Sequence, residues 1–237
     1  MSVPIPITFV QFFHQITIKS ITAMKKTLLF SLTLIGLLLT SCGTTYMATY
    51  DVALAKVESP ADVKKNFGET KVVLVKENNM NKYRYEDDYI DITWYVGTKN
   101  LYFTLKNKSG HSIKINWDDI SFVDINGTVG RVMHNGVKYI DRNNSQPATT
   151  IPNGAKIDDV LIPTENVYYI SPTRYTSGGW NERNLIPSYY KSKEAMDAEA
   201  NSYVGKTMKV LMPISVEGVQ NDYTFEFEIS HLLTNTK

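Results

Sequence analysis

The sequence predicts an all-β (mainly) protein, a β-sandwich with one or two short helices. Three observations point there. Apolar residues recur at every second position in several runs, turn-forming segments separate those runs at short intervals, and the chain holds one cysteine, Cys42. A lone cysteine allows no intramolecular disulfide and no cysteine-built metal site, so a hydrophobic core must carry the fold. The 237 residues are 43% hydrophobic, which excludes a disordered or fibrous chain. With 25 basic against 24 acidic side chains there is no basic excess to neutralise phosphates, so no nucleic-acid partner is expected.

Strands are expected first at Lys71–Lys76 and Tyr89–Val96. Leu101, Phe103 and Leu105 then alternate with polar residues, and Asn107-Lys108-Ser109-Gly110 turns the chain into Ile113, Ile115 and Trp117, a hairpin pattern. Ile120–Ile125 runs into Asn126-Gly127, and Thr128–Met133 into Asn135-Gly136. Asn-Gly tolerates the paired positive φ angles of a type I′ turn, so both sites are expected as tight hairpins. Lys156–Ile162 and Asn166–Ile170 read as further strands. The last hairpin joins Met208, Val210, Met212, Ile214 and Val216 to Tyr223, Phe225, Phe227 and Ile229, with a turn expected over Gly218–Asp222.

Two helices are expected. Ser59-Pro60-Ala61-Asp62 combines an N-cap serine, a first-turn proline and an early acidic residue, with Gly68 as the stop; a simple turn is the alternative. Lys191–Tyr203 is rich in helix formers and halts before Gly205. By strand number and spacing over residues 70–230, the chain resembles the immunoglobulin-like sandwiches of envelope lipoproteins, without their cysteine–tryptophan–cysteine core pattern. The resemblance implies an immunoglobulin-like β-sandwich over 58–237.

The N-terminal segment carries the clearest signal. Met24-Lys25-Lys26 precedes the uncharged run Thr27–Leu39, which is short for a bilayer-spanning helix and suits the h-region of a secretory signal. Leu39-Thr40-Ser41-Cys42 follows and resembles a lipobox, the processing site of bacterial lipoproteins. That resemblance implies a signal peptide over 24–41, diacylglycerol on the Cys42 sulfur, cleavage before Cys42, palmitate-type acylation and residence in the envelope. An ordinary secretory peptide with an incidental cysteine, or an N-terminal anchor helix, is the alternative. Gly43 stands where an aspartate would signal inner-membrane retention, so the resemblance implies the outer membrane, and the absence of an acidic cluster after Gly43 favours a periplasm-facing protein. Residues 42–57 are expected as a lipidated N-terminus and linker. Residues 1–23, apolar and broken by proline, lie upstream of a complete signal and are expected to precede the true start at Met24.

The remaining motifs argue against catalysis. His111, His134 and His231 lack a second ligand at a metal-binding spacing and read as solvated loop residues. Asp118, Asp119 and Asp124 lack the spacing of a calcium loop; like Asp87-Asp88 and Asp158-Asp159 they read as strand-edge charges that discourage aggregation. No serine sits in G-x-S-x-G, and Gly178-Gly179 is not followed by a phosphate-binding pattern. No cofactor, no metal and no enzyme activity are expected.

One cluster stands out. Tyr168, Tyr169, Tyr175, Trp180, Tyr189 and Tyr190 crowd around Ser171–Ser188, a stretch without periodicity that reads as a long loop. Tyrosine and tryptophan give wide contact area with few rotatable bonds, which suits a protein or sugar surface; rings folded over an open end of the sandwich are the alternative. The sequence thus predicts a non-catalytic binding or assembly module, with an envelope protein or a glycan as partner. A carbohydrate-binding lipoprotein is the second reading, and an enzyme using Asp118, Asp119 or Asp124 beside a histidine the third.

Overall fold

The structure is a computed structural model that describes residues 45–58, 71–77 and 80–234. The helix expected after Ser59 and the signal segment lie outside the described residues. The strands are β1 (Tyr46–Glu58), β2 (Lys71–Glu77), β3 (Met80–Glu86), β4 (Ile90–Val96), β5 (Leu101–Asn107), β6 (Ile113–Ile115), β7 (Ser121–Val123), β8 (Val129–Met133), β9 (Thr149–Ile151), β10 (Lys156–Pro163), β11 (Val167–Ile170), β12 (Gly179–Glu182), β13 (Tyr189–Tyr190), β14 (Thr207–Val216) and β15 (Val219–Thr234). One α-helix, α1 (Lys193–Ala200), interrupts them among the described residues.

The protein is mainly β, as its alternating runs predict; β11 and β12 form a separate two-stranded sheet, and the other thirteen strands form one large antiparallel sheet curled into a half-barrel. Its order is β13-β1-β15-β14-β7-β8-β10-β5-β4-β3-β2, with β6 and β9 branching from β14. The two facing sheets of an immunoglobulin-like sandwich are not shown. The physical reason lies in strands that change partner along their length. β14 pairs with β7 over Lys209–Leu211 and with β6 over Ile214–Val216. β10 pairs with β5 over Lys156–Leu161 and with β8 at Ile162 and Pro163. Each change carries the hydrogen-bond ladder round a corner, so the sheet curls without splitting.

Residues 46–57, expected as a linker, form β1, which pairs along most of its length with β15 and buries Ala48 and Leu54. Register shifts at Asp51/Val52 and Leu54/Lys56 break its alternation, which hides the strand from a period-two reading. The Asn-Gly turns also differ from expectation. Among the described residues Glu217 is the one non-glycine with positive φ, so neither Asn126 nor Asn135 enters a type I′ turn. Asp124–Gly127 is a type I turn closed by the Gly127 amide on the Asp124 carbonyl, with Gly127 at φ 81°. The two-residue hairpin is instead Glu217-Gly218, at φ 50° and 83°, where Val216 pairs with Val219.

The core is aromatic. Trp94 lies 5.1 Å from both Phe103 and Phe225 and 5.4 Å from Phe227, with all four rings buried. Fully burying such a ring contributes about 1.5–3 kcal/mol. A second small cluster forms where α1 packs on β1. Ser192 caps the helix by accepting the Ala195 amide at 3.2 Å, and Met196 and Ala200, four apart on one face, cover Ala48 and Tyr190.

Asp87 is a buried exception among the acidic pairs. Its Oδ1 accepts the Tyr89 and Ile90 amides, both at 2.8 Å, and closes the β3–β4 turn; its Oδ2 accepts the hydroxyls of Tyr85 at 3.1 Å and Tyr223 at 2.9 Å. It is a structural carboxylate and no edge charge. Burial first, and then the carboxylate, push the Tyr223 phenol far above its ordinary pKa, which keeps that hydroxyl a donor.

Candidate functional site

The structure divides the six aromatic candidates. Tyr168, Tyr169 and Trp180 sit on the separate hairpin β11–β12, where Tyr169 and Trp180 are cross-strand partners with rings 5.4 Å apart. Tyr175 projects from the loop between these strands and is 88% exposed. Tyr189 and Tyr190 lie on β13 against β1; Tyr190 is buried, and its hydroxyl donates to the Pro187 carbonyl at 3.1 Å. The stretch expected as a loop therefore contains one strand, β12, and 171–178 is the true connection between β11 and β12.

That connection turns tightly. Thr173 and Thr176 bond through backbone and side chains, and the backbone of Gly178 passes so close to its neighbours that a Cβ there would meet Pro172 Cδ at 2.7 Å and the Ile170 oxygen at 2.8 Å. Gly178→Ala is therefore expected to loosen the hairpin, at about 1–3 kcal/mol for overpacking. Hydrogen exchange checks this: amides of β11 and β12 should exchange faster while those of β14 keep their protection.

Trp180 is held in place by its neighbours. The Arg142 guanidinium lies 5.1 Å from its ring centroid, Tyr139 meets it edge-on at 6.2 Å, and the Tyr139 hydroxyl bonds Glu182. That hydrogen bond, and then burial, push the Tyr139 phenol up to about 12. Trp180, Tyr139, Ile140 and His134 line a groove of about 520 Å³. A neighbouring groove of about 540 Å³ runs over β4, β5 and β10, past Tyr95, Tyr102, Thr104, Asp158 and Lys82. Asn135 and Val160 belong to both, so the two grooves adjoin.

His134 stands where they meet, and it is not the solvated loop histidine that its sequence position suggests. Its ring stacks flat on Trp117, with centroids 4.0 Å apart, and its Nδ1 lies 3.2 Å from Asp159 Oδ2. Both side chains are largely buried, at 16% and 12% exposure. The other Asp159 oxygen accepts the amides of Asn135 at 2.9 Å and Val160 at 2.7 Å, and the His134 amide donates to Gln146 Oε1. A carboxylate only accepts, so Nδ1 donates to Asp159, and Nε2 has no hydrogen-bond partner among the described residues.

The other polar candidates do not join it. His111 pairs with Glu217 at 2.7 Å on the surface, and exposed His231 lies on β15. Asp118 accepts the Ser145 hydroxyl, the Gln146 amide and Arg131, which hold its carboxyl below the usual range, the Ser145 bond foremost. Asp119 accepts the Asn116 side chain, and Asp124 caps its own turn. No hydrogen bond joins any of these three to a histidine among the described residues. The carboxylate that meets His134 is Asp159, and no spacing rule would have found a pair brought together by the β8–β10 ladder. No group of three or more histidine, cysteine, aspartate or glutamate side chains that could hold a metal occurs among the described residues. Compared with protein-family models, curated proteins and solved structures, the chain matches none.

Proposed function

We propose that this chain is a lipoprotein of the bacterial envelope, anchored through Cys42 to the outer membrane and facing the periplasm, that acts as a non-catalytic binding or assembly module. Its ligand lies in the adjoining grooves around Asn135. The observation that carries this reading is the pair of exposed aromatic platforms there, Tyr102 (44% exposed) and Trp180 (37%), with Asn135, Asp158 and Lys82 as hydrogen-bonding groups.

The alternation of rings and hydroxyl-compatible polar groups favours an oligosaccharide over a protein segment, because sugar faces stack on aromatic rings while their hydroxyls take the polar edges. An array of envelope and extracellular glycans, followed by calorimetry on any glycan bound, tests this. Trp180→Ala and Tyr102→Ala are each expected to weaken binding about tenfold, about 1.4 kcal/mol. A blank array with photo-crosslinking from Trp180 to an envelope protein would move the assignment to protein assembly. A blank array with no crosslink, or a bound glycan whose affinity is unchanged in both variants, would end the groove as a site.

A further inference from the structure

The β13–β1–β15 end of the sheet has two unlike faces. On one, α1 covers Ala48 and Tyr190 with Met196 and Ala200. On the other lie Met47, Tyr189 and Leu233. Met47 and Tyr189 are direct partners, and Leu233 pairs with Thr49, two residues along from Met47, so all three side chains share this face. They are 45%, 64% and 50% exposed. Adjacent large apolar side chains left this open mark an interaction surface more often than they occur by chance.

Chain length says what lies against them. Gly43, Thr44 and Thr45 are all that separate Cys42 from the first residue of β1. Even fully extended, that tether reaches about 14 Å. With lipid on Cys42, the start of β1 cannot leave the neighbourhood of the headgroups. Tyrosine favours that zone, where its ring meets acyl chains and its hydroxyl meets water. Lys191, exposed one residue beyond β13, suits anionic headgroups.

We propose that this end of the sheet rests on the lipid surface, with Met47, Tyr189 and Leu233 seated among the headgroups, so that the protein stands in one orientation instead of swinging on its anchor. The inference rests on the lipidation of Cys42 and adds to it an orientation that lipidation alone does not require.

The single cysteine makes the test direct, because a thioether leaves an introduced cysteine as the only free thiol. Met47→Cys, Tyr189→Cys, Leu233→Cys and Val219→Cys chains, each purified in the lipidated form, would be labelled with the fluorophore NBD. They would then be reconstituted in phosphatidylethanolamine–phosphatidylglycerol vesicles. Val219 starts the strand that Leu233 nearly ends, and it is 66% exposed. The expected result is a severalfold rise in emission at 47, 189 and 233, quenched by nitroxide lipids, with label 219 as dim as in water. Vesicle-bound protein with dim labels at 189 and 233, or with label 219 equally bright, overturns the orientation while leaving the anchor intact. Labels dim in vesicles but bright in native membranes overturn it in favour of a protein partner. Mass spectrometry showing no lipid on Cys42 removes the anchor itself, and the orientation with it.

Discussion

Asp87→Ala is expected to lower stability by about 3–5 kcal/mol, because it removes one side-chain acceptor serving four buried or half-buried donors. At about 2–4 °C per kcal/mol for a domain of this size, the unfolding midpoint should fall by about 6–20 °C. Two of the bonds set the β3–β4 turn, and the bond from Tyr223 joins that turn to β15 across the core, 136 residues away in sequence. Asp87→Asn should recover part of the loss, since an amide oxygen can serve one pair of donors while its NH₂ confronts the other. The double change with Tyr223→Phe separates pairing from simple packing. Phenylalanine removes the hydroxyl that Asp87→Ala strands at zero exposure, so the second substitution should cost clearly less in the Asp87→Ala background than in the native one. Denaturant melts of the four proteins measure this, and strictly additive losses would show that the carboxylate acts only as filler.

Cys42→Ala is expected to move the protein from the membrane pellet to the soluble fraction and to abolish labelling by palmitate. One acyl chain holds a protein only marginally, while two or more, at about 0.8 kcal/mol per buried CH₂, hold it stably, so the effect is close to all or none. No helix among the described residues is long and apolar enough to supply a second anchor. The sheet itself begins beyond this residue, at Tyr46, so the soluble variant should unfold at the same temperature as the lipidated chain. A Cys42→Ala protein that stays in the pellet after its segment 24–41 has been removed would overturn the anchor and the orientation built on it.

Where burial alternates strictly, the strands were plain in the sequence. Leu101, Phe103 and Leu105 on β5, and Tyr223, Phe225, Phe227 and Ile229 on β15, are buried at every second position. β1 was not legible, because its register shifts spoil the period, and β3 was obscured by Lys82, Arg84 and Glu86 around its two buried tyrosines. The aromatic cluster was legible as composition but not as a place. Chain proximity grouped Tyr189 and Tyr190 with Trp180, whereas pairing sends them to β1 and brings Tyr139 and Arg142 to Trp180 instead.

What the sequence by itself determined was the β character of the chain, because alternation and turn chemistry are written in neighbouring residues; the resemblance of Leu39–Cys42 to a lipobox is local in the same way. Tertiary structure alone decided that thirteen strands join in one curled sheet, that Asp87 is a core acceptor, and that His134 meets Asp159 beside two adjoining grooves. Those outcomes depend on ladders joining residues far apart in the chain. Whether a carboxylate ends in water or beneath a ring is settled by which strand arrives next to it, and no local pattern records that arrival.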